Sequence, residues 1–92
     1  MTTKVNKLMK LYNMQSNNAN KIVKLLDNHL PKRSYTTEIV TRCNKKDIST
    51  TSDIVKEVRH FRTKNVLILN LIVEFAQEHE AAHKKLQKSI SN

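Results

Sequence analysis

The chain has 92 residues, a net charge of +9, no glycine, one proline and one cysteine. A chain this short forms one domain at most and buries only about two thirds of the surface its unfolded form exposes. The lone Cys43 excludes an internal disulfide, the lack of glycine argues against tight hairpins and Gly-rich phosphate loops, and two Tyr with two Phe offer few platforms for stacking bases.

Charge is unevenly spread. Residues 1–46 hold ten Lys/Arg against two acids, whereas residues 47–92 hold seven against six. The first half is therefore the candidate polyanion-facing part. No apolar run approaches the roughly 20 residues that span a bilayer, and the N-terminus lacks the apolar core of a secretory leader. With a single cysteine, these features lead us to expect an intracellular protein, cytoplasmic or nuclear, with no membrane span.

In chain order, residues 3–30 read as an amphipathic helix. Val5, Leu8, Tyr12, Gln15, Ala19, Ile22, Leu26 and His29 recur at alternating spacings of three and four. Met9, Val23 and Leu30 broaden that stripe to the width of a core-facing helix. Residues 16–20 favour caps and turns, so a break is expected there. Leu30-Pro31 ends the helix, because the residue before proline is pushed out of the helical region, and residues 31–36 form a connection. Residues 35–43 are rich in β-branched side chains, which favours a strand. Yet Ile39, Val40 and Cys43 share one side of a helix, and no second strand is at hand to pair with them. A short helix over 37–45 is the expectation, with a connection over 46–50.

Thr50 and Asp53 have the three-residue spacing of a capping box, and a long helix is expected to follow over 51–88. Its stripe is Ile54, Val58, Phe61, Asn65, Ile68, Ile72, Phe75, His79, Ala82 and Leu86. Residues 62–65 are the place for a bend. Residues 66–76 form the densest apolar run in the chain. There Val66, Leu69, Val73 and Ala76 add a second stripe, so that stretch needs two neighbours or a partner. The expected architecture is all-α: a single domain over 1–92, a small bundle or helical hairpin. Two long amphipathic helices pack antiparallel with a short one between them, completed by self- or hetero-association.

Several constellations bear on chemistry. His79-Glu80-Ala81-Ala82-His83 spells H-E-x-x-H on a predicted helix, and resembles the zincin signature over those five residues. In that pattern two histidines four apart hold zinc while the glutamate polarises its water. His79 and His83 are thus candidate metal ligands. No acid or histidine follows downstream to supply a third, so His79 at a seam and His83 towards solvent is the preferred reading. Cys43 has no histidine near it in sequence to act as a base, and reads as a buried small residue. No Ser-His-Asp arrangement can be assembled. The expectation is a protein that is not an enzyme, with no cofactor and no evident small-molecule substrate.

Two functional readings follow. The first is a non-catalytic interaction or assembly subunit that docks on itself or another helical protein. Its docking residues would be Phe61, Val66, Ile68, Leu69, Ile72, Val73, Phe75 and Ala76. The second is binding of DNA or RNA, mainly through backbone phosphates. It would use Lys4, Lys7, Lys10, Lys21, Lys24, Lys32, Arg33, Arg42, Lys45 and Lys46. Lysines outnumber arginines 13 to 4, which favours phosphate contact over base readout.

Overall fold

The computed structural model describes residues 3–90. Five helices run through them: α1 Thr3–Tyr12, α2 Ser16–His29, α3 Tyr35–Lys45, α4 Ser52–Arg59 and α5 Val66–Ile90. No strand occurs among the described residues, so the β-branched segment is helical. All-α is the architecture, but each of the two long helices expected from periodicity is split.

The splits share one device. Asn13, Asp47 and Phe61 all take positive φ, at 51°, 58° and 61°. After Asn13 the Met14 N–H reaches back to the Met9 carbonyl at 3.2 Å. At Asp47 the Ile48 N–H bonds the Cys43 carbonyl at 2.8 Å and the Asp47 N–H bonds Asn44 at 3.2 Å. At Phe61 the Arg62 N–H bonds Glu57 at 2.9 Å and the Phe61 N–H bonds Val58 at 3.1 Å. These are Schellman closures, which satisfy the last carbonyls of a helix through one left-handed residue. Glycine is usual there, and this chain has none. Asn and Asp tolerate the conformation, whereas for a bulky residue such as Phe61 it costs about 1–2 kcal/mol. Burial of the Phe61 ring offsets that cost, since it is only 4% exposed.

The first helix breaks at Asn13, ahead of residues 16–20, and those residues start α2 instead of interrupting it. The helix expected over 51–88 ends at Arg59 and resumes at Val66. Asn65 is not a seam residue: its side-chain Oδ1 accepts the Ile68 N–H at 3.0 Å, the bond of an N-cap, while its own N–H donates to the Tyr12 hydroxyl at 3.0 Å. The cap of α4 is Thr51, whose Oγ1 accepts the Ile54 N–H at 3.3 Å. Thr50, the residue expected to cap, keeps its hydroxyl buried without a hydrogen-bond partner.

α5 lies at the centre. It packs against α2, α3 and α4, with α1 laid on α2 and α3 on α4. Ile68, Leu69, Leu71, Ile72 and Ala76 are its buried face, meeting Leu26, Ile39, Cys43, Val55 and Val58 in one core. The expected antiparallel pairing of the first and last helices is replaced by a parallel one. α2 begins just beyond Tyr12, whose hydroxyl touches the start of α5, and ends with His29 Nε2 at 3.5 Å from Glu80. α5 outruns its neighbours: residues 81–90 are all exposed. No helix of the described residues is long and apolar enough to cross a membrane.

Candidate functional site

The docking surface read from periodicity is largely the protein's own core. Phe61, Ile68, Leu69, Ile72 and Ala76 are buried, and Val73 and Phe75 are partly buried against them. Only Val66 stands out, at 52% exposure. Splitting the chain into five helices gives the dense run three neighbours, which cover both of its stripes within one molecule except at Val66.

The basic residues fall into separate groups. Arg42 is engaged: both its terminal nitrogens bind Glu78, at 2.7 and 2.8 Å, Glu38 lies 3.5 Å away, and the guanidinium stacks 4.9 Å over the Phe75 ring. The Arg42 hydrogen bonds hold the Glu78 carboxyl below the usual range. That cluster ties α3 to α5 and is not an open site. Lys21 and Lys24 line a shallow groove between α2 and α5 with His29 and Glu80. Arg33 is exposed in the connection after α2, and Lys45 and Lys46 at the end of α3.

Lys4, Lys7, Lys10 and Lys32 belong together, and they are joined by residues that the charge asymmetry did not point to. Three adjoining grooves run along one side of the molecule. The first, about 410 Å³, lies between Lys4, Asp27, Lys32, Tyr35, Arg59 and His60. The second, about 130 Å³, adds Lys7, Phe61 and Arg62. The third, about 490 Å³, reaches Lys10 and Leu11. Shared walls make them continuous: Lys4, Arg59 and His60 border the first two, and Lys7, Phe61 and Arg62 the last two. The reversal at Phe61 is what turns His60 and Arg62 towards α1. A straight helix through 51–88 would have carried Arg62 a further turn along its own axis.

Among the described residues, two acids temper this face. Asp27 takes hydrogen bonds from Lys4 at 3.1 and 3.2 Å and from Arg59 at 3.0 Å, and Glu57 lies 3.7 Å from Arg62. Burial acts to raise the Asp27 carboxyl, but the hydrogen bonds and charges of Lys4 and Arg59 outweigh it and hold the group below its ordinary value. His60 reports the sign of the local field. Burial lowers its imidazole below 6.5, and Arg59, Arg62 and Lys4 push it further down against the smaller opposing pull of Glu57. Arg59, His60 and Arg62 were legible only as the cluster Arg59-His60-Phe61-Arg62, hidden in a half of nearly neutral charge.

The H-E-x-x-H residues do not converge. His79 Nδ1 donates to the Phe75 carbonyl at 3.2 Å and its ring stands edge-on to Phe75, with centroids 4.6 Å apart. His83 takes the Gln87 amide at 3.2 Å and lies 6.2 Å, ring to ring, from His29. Among the described residues, no group of three His, Cys, Asp or Glu is placed to hold a metal ion. Cys43 is fully buried, and burial pushes its thiol up, away from the thiolate that nucleophilic chemistry needs.

No family model matches the chain, and no curated protein or solved structure is similar to it.

Proposed function

We propose that this protein binds a nucleic acid, DNA or RNA, through its backbone phosphates, using the basic side formed by α1 and the joint between α4 and α5. The observation that carries the reading is the continuity of the three grooves, in which Lys4, Lys7, Lys10, Arg59 and Arg62 from three elements line one track. Lysines and arginines set along a groove neutralise successive phosphates and release condensed counterions. Shallow, mainly lysine-lined walls with few aromatics suit a contact that follows the backbone and does not read bases. The test is fluorescence anisotropy of a labelled duplex across a salt series. Affinity should fall linearly on a log–log plot, and Lys7→Ala or Arg62→Ala should each flatten the slope by about 0.9 for one lost phosphate contact. Salt-independent binding, or none at low salt, overturns the proposal.

A second reading, an assembly subunit, keeps one supporting observation. Leu86 and Ile90 are 60% and 76% exposed on the free end of α5, away from the residues first expected to dock. Sedimentation separates the readings: a particle heavier than one chain that returns to monomer on Leu86→Glu favours association through that end.

A further inference from the structure

We propose that the groove between α1, the end of α2 and α4 is a phosphate subsite, and that Asp27 occupies it in the free protein as a built-in substitute for the ligand. The inference rests on the proposed polyanion reading and names the site within it. Among the described residues the Asp27 carboxylate is the one anion lining that groove, and it draws cations from two separate helices, Lys4 from α1 and Arg59 from α4. Lys32 lines the same space from the connection after α2. Two cations thus hold the carboxylate, and a third lines the groove beside them.

The geometry differs from that of a finished structural ion pair. Arg42 meets Glu78 through both terminal nitrogens, which fills the guanidinium fork. Arg59 meets Asp27 through one, at 3.0 Å, with its side chain only 12% exposed and so held in place. A phosphate has more acceptor oxygens than a carboxylate and accepts the fork bidentately. The groove beside it, about 410 Å³, is of ligand size. A phosphate monoester or diester entering there takes over Lys4 and Arg59, and Asp27 turns out to solvent, where 36% of its side chain already lies.

The test titrates inorganic phosphate and, separately, a duplex without terminal phosphates into the wild type, Asp27→Asn and Glu74→Gln. The last is a charge-matched control on the exposed side of α5. Asp27→Asn should tighten phosphate about tenfold, the scale of one charge-assisted contact no longer displaced, and Glu74→Gln far less. Tightening of both ligands places a nucleic-acid phosphate in the groove. Tightening of inorganic phosphate alone keeps the subsite and assigns it to small phosphate esters. Equal effects of the two substitutions overturn the inference. Should Asp27→Asn fail to fold, NMR of the wild type decides: added phosphate must shift the Asp27 carboxyl and the Arg59 side chain, and shifts confined to other residues contradict the subsite. A wild type that ignores the duplex at low salt counts against the proposed function and leaves the phosphate arm to judge the subsite.

Discussion

Phe61 meets two opposed demands. Its backbone sits in a conformation that a bulky side chain disfavours, while its ring fills the core between α1 and the rest. Phe61→Ala is expected to cost about 3–5 kcal/mol by denaturant unfolding, as for other buried aromatics, and to weaken phosphate binding by releasing His60 and Arg62 from the groove. Thr51→Ala should cost about 1 kcal/mol through the lost cap, whereas Thr50→Val should cost nothing, since the hydroxyl it removes is buried without a partner. His60 supplies a pH test. Arg59, Arg62, Lys4, Lys7 and Lys32 face it with Asp27 and Glu57, and its folded value lies below 6.5. The unfolded chain therefore binds the proton more readily, so stability falls as pH drops through 6.5 towards the folded value. A bound polyanion reverses that field and favours the imidazolium. Affinity should accordingly rise as pH falls below 6.5, and His60→Gln should remove that extra rise. At this scale the sequence was partly legible. Cys43 was read as a buried small residue. Asn65 falls on the heptad spacing, which masks its cap bond from the Ile68 N–H only three positions on, and its second bond, to Tyr12 53 positions away, leaves no local signal.

The helices themselves follow from periodicity, but their ends do not. Residues 51–88 keep an unbroken heptad spacing, and that spacing says nothing about a reversal at Phe61, where the signal that usually marks a helix end, a glycine, is missing. Residues 62–65 were nonetheless the weakest stretch of the pattern, and the gap falls there, from His60 to Asn65. The same omission explains the docking expectation. A dense run with two apolar stripes needs cover, and three short helices supply it where two long ones could not. α5 should therefore show two regimes. Ile72→Ala, at a fully buried position, is expected to cost about 2–5 kcal/mol. Leu86→Glu and Ile90→Glu, on the exposed end, should change monomer stability by no more than about 0.5 kcal/mol. A large loss at Leu86 would mean that end is covered in solution. Where Tyr12 at the end of α1 meets Asn65 just ahead of α5, Tyr12→Phe removes the acceptor of the Asn65 N–H and should cost about 0.5–1.5 kcal/mol.

Over the whole molecule, net charge was visible from composition and its arrangement was not. The halves differ by seven charges, which pointed to residues 1–46 as the binding part. Folding redistributes them: Arg42 is tied to Glu78, Lys21 and Lys24 face α5, and Arg59 and Arg62 from the neutral half join α1. A lysine track along one side and a core closed within a single chain favour binding over obligatory assembly. Asp27, bridging Lys4 and Arg59, ties α1, α2 and α4 together across that side. Its folded value lies below its ordinary 3.8, so its stabilising share is complete above that value and is lost as pH falls through and below it. The most direct measurement is duplex binding across a salt series for the wild type, a Lys7→Ala/Arg62→Ala double variant and a Lys45→Ala/Lys46→Ala control of equal charge. The double variant should bind more weakly and with a slope shallower by about 1.8, the control changing little. Equal losses in the two variants would show that net charge alone attracts the duplex and would contradict a defined face.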